Sequence, residues 1–178
     1  MTLATHAVVG AATATLFPGH PVIAFTAGFM SHFLLDAIPH WDYKILSKYA
    51  NPDIAMSVNA QGSSSSGRIK PDRLFWLDLS RIGADAALGA LLVLIVWQPH
   101  SLRQWLILGL GAFGAMLPDF LQFVYMRFPR EPLIALQKFH IYLMHAKSDL
   151  NHRPFVGIAS QVAVMAFVII LVRYLVKL

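Results

Sequence analysis

The sequence predicts an all-α integral membrane protein with about five transmembrane helices. Of its 178 residues, 57% are hydrophobic and only 13% are charged, whereas about a quarter are charged in an average soluble domain. Five apolar stretches cover residues 4–17, 21–38, 76–97, 102–126 and 154–176. A helix needs about 20 predominantly apolar residues to cross the hydrocarbon core, and the last stretch carries no charge between Arg153 and Arg173. We therefore expect one membrane domain over residues 1–178.

The elements of this domain follow from the order of the stretches. The first two are separated by a tight turn at Pro18 and Gly19, and they form a first helix pair over residues 4–42. Residues 43–75 contain "AQGSSSSG", a composition typical of a flexible loop. A second helix pair follows over residues 76–127. Residues 128–153 mix apolar and basic side chains, which favours an amphipathic interfacial segment, and residues 154–178 form the last transmembrane helix.

Basic residues indicate the orientation of the helices. With five spans, both long loops lie on the same side of the membrane as the N-terminus, and the positive-inside rule places that side in the cytoplasm. Fewer basic residues fall on the opposite side, namely Arg103, Arg173 and Lys177. The basic residues of the two loops are Lys44, Lys48, Arg68, Lys70, Arg73, Arg127, Arg130, Lys138, Lys147 and Arg153.

The two helix pairs resemble each other in sequence. "THAVVGAA" (5–12) aligns with "ADAALGAL" (84–91), and "AGFMSHFLLD" (27–36) aligns with "LGAFGAMLPD" (110–119). His6 then corresponds to Asp85, and Asp36 to Asp119, so all four are expected at one depth. This pattern predicts a parallel repeat about an axis along the membrane normal. Small-residue packing patterns also recur in membrane helices without common ancestry, and that interpretation stays open.

A group of histidines and aspartates at this depth indicates a metal site. The chain has no cysteine, which excludes disulfides and thiolate zinc sites. His32 and Asp36 are four residues apart and share a helix face, and the helix ends before Pro39. The partial negative charge of its C-terminus favours a cation. The alternative is hydrogen bonding between helices, but unpaired ionisable groups at this depth are costly. The predicted metal ligands are His6, His32, Asp36, His40, Asp85 and Asp119.

Other residues are assigned roles around this site. The predicted catalytic residues are Asp36, Asp119 and His140. His140 is preferred over His145 and His152 because it lies in the more apolar "KFHIYL", whereas His20 and His100 are predicted to be interfacial. The weaker candidates for binding a substrate phosphate are Lys44, Arg127, Arg130 and Arg153.

The donor set limits the cofactor and the reaction. Mixed oxygen and imidazole ligands suit a divalent transition metal, best Zn²⁺, with Mn²⁺ or Fe²⁺ as alternatives. The number of ligands allows one or two ions, and ion pairs are a common device for phosphoester hydrolysis.

Three motifs carry a family resemblance. An N-terminal "TH…G", a "GxxSHxxLDxxPH" element (28–40) and a later "LPD" (117–119) resemble the bacterial membrane-bound metal-dependent hydrolases. These are small polytopic inner-membrane proteins, distantly similar to zinc-dependent phospholipase C. The resemblance covers the two helix pairs. It implies metal ligation by His6, His32, Asp36 and Asp119, and location in the bacterial inner (cytoplasmic) membrane.

Together these observations lead to an expected function. The chain is predicted to be a membrane-embedded metal-dependent hydrolase that acts on a phosphoester of a lipid, or of another membrane-associated substrate, through a metal-activated water. Membrane lipid is the expected partner, and nucleic acid is not, because the basic residues fit cytoplasmic loops. The alternatives are a metal-ion or proton transporter and a non-catalytic protein with a structural metal.

Overall fold

All secondary structure in the described part of the chain is helical. The computed structural model describes residues 1–49, 71–140 and 150–176. The "AQGSSSSG" segment and His145 lie outside these residues. The all-α prediction is therefore confirmed for the described part. The helices are α1 (Leu3–Ala14), α2 (Pro21–Asp36), α3 (Leu46–Tyr49), α4 (Arg73–Trp97), α5 (Leu102–Arg127), α6 (Leu133–Phe139) and α7 (Pro154–Val176).

Three of these helices are long and apolar enough to cross a membrane. They are α4, α5 and α7, which have 25, 26 and 23 residues. Helices α1 and α2 are also apolar, but they have only 12 and 16 residues. A helix rises 1.5 Å per residue, so α1 is about 18 Å long and α2 about 24 Å, short of the roughly 30 Å hydrocarbon core. Length and composition thus indicate a membrane protein with at least three candidate spans.

Helix α1 lies at the centre of the bundle. It packs against α2, α4, α5 and α7, and eleven of its twelve residues are buried. A helix that is apolar on all sides is buried in a protein core or in a membrane. Here the surrounding helices cover the apolar surface of α1, which explains why so short a helix is still hydrophobic along its whole length.

Glycines allow α1 and α2 to approach α5 closely. A Cβ atom added to Gly10 or to Gly28 would overlap the carbonyl oxygen of Gly111, and one added to Gly111 would overlap the carbonyl of Gly10. Small residues at such crossings let helix backbones come together in membrane proteins. The close contact fixes the two short helices against α5, and this positions the polar side chains that they carry.

Two arginines mark the end of the bundle opposite to those polar side chains. The Arg103 Nε donates to the carbonyl of Pro18 over 2.8 Å, and an Arg173 guanidinium nitrogen donates to the carbonyl of Val96 over 2.6 Å. The α1–α2 turn, the end of α4, the start of α5 and the end of α7 therefore meet at this end.

The predicted flexible loop at 43–75 is partly structured. Helix α4 begins at Arg73 rather than at residue 76, and the Asp72 side chain caps it by accepting from the Phe75 amide over 2.9 Å. Near the other end of the loop, residues 46–49 form α3. The buried Asp78 accepts from the Leu46 and Ser47 amides over 2.9 and 2.7 Å. Helix N-termini have free N–H groups, and these carboxylates satisfy them.

Candidate metal centre

Four separate parts of the chain bring polar side chains together at one end of α1. Helix α1 contributes His6, the last turns of α2 contribute His32 and Asp36, α5 contributes Asp119, and His140 directly follows α6. His6 and His32 are 0% exposed, Asp36 is 1% exposed and His140 is 2% exposed. The Asp119 side chain is 23% exposed. The cluster is therefore buried, with an edge open at Asp119.

One group of four has the spacing of a metal site. His32, Asp36, Asp119 and His140 each offer one ligand atom, and these atoms lie within 4.8 Å of one another. The His32 Nε2 lies 3.2 Å from Asp36 Oδ2 and 3.3 Å from His140 Nε2. Ligand atoms at about 2.0–2.2 Å from a tetrahedral ion are about 3.3–3.6 Å apart. These side chains therefore fit a tetrahedral ion with small movements.

The side-chain hydrogen bonds orient the imidazoles for ligation. The His32 Nδ1–H donates to the carbonyl of Ala115 over 2.8 Å, and the His40 Nδ1–H donates to the carbonyl of Ile38 over 2.7 Å. A metal-binding histidine almost always donates its other ring N–H in this way, which fixes the tautomer. In both residues Nε2 then carries the lone pair and lies on the side of Asp36.

His6 has no hydrogen-bond partner among the described residues for either ring nitrogen. Its Nε2 lies 3.2 Å from Asp36 Oδ1 and 3.7 Å from Asp119 Oδ2, and its ring stacks on that of His32 with centroids 4.1 Å apart. A buried polar atom without a partner costs about 1–3 kcal/mol. A cation between His6 and the two carboxylates would satisfy Nε2.

His40 reaches the cluster from the segment after α2, and α7 holds that segment in place. The Gln161 Nε2 donates to the carbonyl of Trp41 over 2.7 Å, and a Cβ on Gly157 would overlap Trp41. The Gln161 Oε1 also accepts from the Thr2 amide over 3.1 Å and from the Thr5 hydroxyl over 3.0 Å. Gln161 thus links α7 to both α1 and the His40 segment.

Gln161 was not among the site residues predicted from the sequence. The signal in the sequence was an amide side chain within a stretch that has no charge between Arg153 and Arg173, and the structure shows that this side chain is buried. Polar side chains at such positions are costly unless paired and often mark functional sites.

Asp85, a predicted metal ligand, has a different role in the structure. Its two carboxylate oxygens accept from the backbone amides of Leu3 and Ala4 over 2.7 and 3.2 Å. They therefore satisfy free N–H groups at the start of α1. Both oxygens of the Asp85 carboxylate thus contact the backbone at the start of α1. Asp85 is not in the group of four.

A cavity of about 50 Å³ lies beside Asp119. Asp42 and Tyr43 also line it, from the segment that carries His40. Burial, together with the negative charge of Asp119, raises the pKa of Asp42 to about 7. Burial and the nearby carboxylates, Asp85 first, also raise the pKa of Tyr43 above its ordinary value. The cavity is therefore a small acidic space with room for a few water molecules.

None of the four predicted phosphate-binding residues lines this cavity. Lys44 is exposed and lies in the chain between two lining residues, Tyr43 and Ile45. Arg127 lies over the ring of Phe128 at 4.9 Å, and Arg130 and Arg153 are exposed. Of the four candidates, Lys44 is the one that stands next to cavity-lining residues in the sequence.

The sequence also left open whether His145 or His152 joins the site. His145 lies outside the described residues, and His152 is exposed and is not in the described cluster.

Comparisons of this chain with protein-family models, with curated proteins and with solved structures give no match.

Proposed function

We propose that this protein is a membrane-embedded metal-dependent hydrolase acting on a phosphoester of a lipid or of another membrane-associated substrate. We also propose that the chain is related to the bacterial membrane-bound metal-dependent hydrolases and that it lies in the inner membrane, as they do. The observation that carries it is the group His32, Asp36, Asp119 and His140, which is spaced for an ion and buried except at Asp119. A structure that needed these groups only for packing would not require four ionisable side chains in one apolar pocket.

The residues of such a site would have different roles. Asp36, His32 and His140 contact each other deep in the bundle, and this favours ligation over proton transfer as their role. Asp119 faces both the ligands and the cavity, so a substrate would approach from its side. A bound divalent ion would lower the pKa of a water molecule and withdraw charge from a phosphoester oxygen. The surrounding apolar helices would keep other water away from the reaction.

The level of the cluster in the bundle supports a membrane substrate. On α4, Arg81 is exposed and stands one turn before Asp85, while residues 86–97 carry no charge. Asp85 lies 12 residues before the end of α4, about 18 Å at 1.5 Å per residue. A cluster at this distance from the opposite end would lie inside a roughly 30 Å hydrocarbon core, toward the side where the charged residues of α4 begin, and a membrane lipid could reach it there.

We further propose that α1 and α2 lie within the membrane as the predicted first pair, with the N-terminus and both long loops in the cytoplasm. The chain has no cysteine, so the labelling of a single introduced cysteine reports its side of the membrane without background from other thiols. In intact spheroplasts, an impermeant maleimide should label Ser101→Cys at the far end of the bundle and leave Lys44→Cys unlabelled. Inside-out vesicles should give the reverse pattern. Labelling of Lys44→Cys in spheroplasts would contradict this orientation.

A structural metal is the second candidate function, and the deep burial of the ligands favours it. Closed tetrahedral sites without an open position are typical of structural zinc. Ion transport has less support, because the described parts of α1, α2, α4 and α5 carry no ionisable residue between the cluster and the last turn at the opposite end. A path for an ion through the apolar half of the bundle is therefore not visible in these helices.

Hydrolysis assays test the proposal against the structural alternative. The purified protein is incubated with bis-(p-nitrophenyl) phosphate and with vesicles of phosphatidylglycerol and phosphatidylethanolamine. We expect hydrolysis that a chelator abolishes and that added Zn²⁺ restores. His32→Gln should lower the rate more than about 100-fold, since losing even a hydrogen-bond partner of a ligand costs about 10–100-fold. His100→Gln, an exposed histidine at the opposite end, should have no effect. Stoichiometric metal without hydrolysis of either substrate would favour the structural role.

A further inference from the structure

Asp36 presents one oxygen to each of two pairs of histidines, and Asp119 presents one oxygen to one histidine of each pair. Asp36 Oδ2 lies 3.2 Å from His32 Nε2 and 2.7 Å from His140 Nε2, whereas Asp36 Oδ1 lies 3.2 Å from His6 Nε2 and 3.9 Å from His40 Nε2. Asp119 repeats the division, because its Oδ1 lies 3.8 Å from His32 Nε2 and its Oδ2 lies 3.7 Å from His6 Nε2. The same two carboxylates therefore serve two groups of imidazoles.

We infer that this arrangement is a dinuclear metal site bridged by Asp36 and Asp119. This inference rests on the proposed metal-dependent function and specifies it. Half-site one consists of His32, His140, Asp36 Oδ2 and Asp119 Oδ1. Half-site two consists of His6, His40, Asp36 Oδ1 and Asp119 Oδ2. Each half-site has two imidazole nitrogens and two carboxylate oxygens, a donor set that suits Zn²⁺ or Mn²⁺.

Half-site two has its own observations. His6 is 0% exposed, and its Nε2 has no hydrogen-bond partner among the described residues although it faces both carboxylates. Its spacings to Asp36 and Asp119, 3.2 and 3.7 Å, are close to the roughly 3.3–3.6 Å between ligands of one tetrahedral ion. The His40 Nδ1–H is already used by the carbonyl of Ile38. The Met1 ammonium donates to Asp36 Oδ1 over 2.8 Å, so an ion in half-site two would compete with it.

Charge favours two ions over one for a phosphoester substrate. Two ionised carboxylates, four neutral imidazoles and the Met1 ammonium have a net charge of −1, so one divalent ion brings the cluster to +1, and a second ion that displaces the ammonium brings it to +2. The neighbouring cavity is also lined by Asp42, so the charge of the second ion would strengthen the attraction of an anionic substrate. Ion pairs a few ångströms apart stabilise both the attacking and the leaving oxygen of such a displacement.

The half-sites should differ in affinity. The four residues of half-site one each offer one ligand atom that lies within 4.8 Å of the other three. In half-site two the His40 Nε2 is 3.9 Å from Asp36 Oδ1, and the ion must replace the ammonium of Met1. Half-site one should therefore fill first and half-site two at higher metal concentration.

Titration of the metal-free protein tests this inference. Zn²⁺ binding is followed by calorimetry, and bound metal is counted by elemental analysis of the full chain in detergent. We expect two ions per chain in two steps. His6→Gln and His40→Gln should each retain one ion, and the exposed control His100→Gln should retain two. With Mn²⁺, electron paramagnetic resonance should show an exchange-coupled pair in the unmodified chain and an isolated ion in His40→Gln.

The outcomes separate this inference from the proposed function. One ion in the unmodified chain, with an isolated Mn²⁺ signal, would overturn the dinuclear site and leave the proposed function standing. Retention of two ions by both His6→Gln and His40→Gln would also overturn it. No bound metal would overturn both. If His6→Gln does not fold, the Mn²⁺ spectrum of the unmodified chain and the stoichiometry of His40→Gln still decide.

Discussion

Asparagine in place of Asp36 is expected to reduce metal affinity by more than about 100-fold. Asp36 is the carboxylate that approaches all four histidines of the cluster, through both of its oxygens. An amide has no negative charge and can offer only one oxygen, so it cannot serve both half-sites. Loss of a single hydrogen-bond partner of a metal ligand already costs about 10–100-fold in affinity. Calorimetric titration with Zn²⁺ measures the change.

Asp78→Asn is the matched control for Asp36→Asn. Asp78 is also a buried aspartate, but it accepts from the backbone amides of Leu46 and Ser47. Leaving these groups with one poorer acceptor should lower the free energy of unfolding by about 1–3 kcal/mol without changing metal affinity. Equal metal affinity in Asp36→Asn and Asp78→Asn would show that Asp36 is not a ligand.

Alanine in place of Gly111 is expected to destabilise the whole bundle. Its Cβ would overlap the carbonyl of Gly10 and the Cβ of Ala14, so α1 would have to move away from α5. Overpacking of this kind costs about 1–3 kcal/mol, and more where backbone must shift. Because α1 carries His6 and α5 carries Asp119, metal affinity should fall as well. Thermal unfolding in detergent and Zn²⁺ titration measure the two effects.

Gly109→Ala provides the comparison within the same helix. Its Cβ would meet nothing within 4 Å, and alanine is favoured over glycine in a helix interior by about 0.8–1.0 kcal/mol. We expect unchanged or slightly higher stability and unchanged metal affinity. A melting temperature for Gly111→Ala as high as that for Gly109→Ala would contradict the close packing of α1 against α5.

Local sequence patterns predicted part of the candidate site. His32 and Asp36 are four apart, and this spacing alone places them on one face of α2. His140 was preferred because its neighbours are apolar, and it lies 2.7 Å from Asp36. Both predictions depended on properties that one short segment carries by itself.

Other features depend on contacts that no single segment contains. Asp85 was assigned as a ligand because it aligned with His6. In the structure its oxygens accept hydrogen bonds from the free amides at the start of α1. Hydropathy identified α1 as apolar without distinguishing lipid from protein as its surroundings, so its central position was not predicted. Gln161 was missed because its partners, Thr2, Thr5 and Trp41, are more than 100 residues away in the chain.

X-ray absorption at the metal edge of the purified protein tests the central claim most directly. The claim is that buried histidines and aspartates of this bundle bind a transition metal. The result that we predict is at least one metal ion per chain, with nitrogen and oxygen ligands at about 2.0–2.2 Å and the multiple-scattering signature of imidazole. A metal content near zero, or a spectrum of a hydrated ion without imidazole, would contradict it.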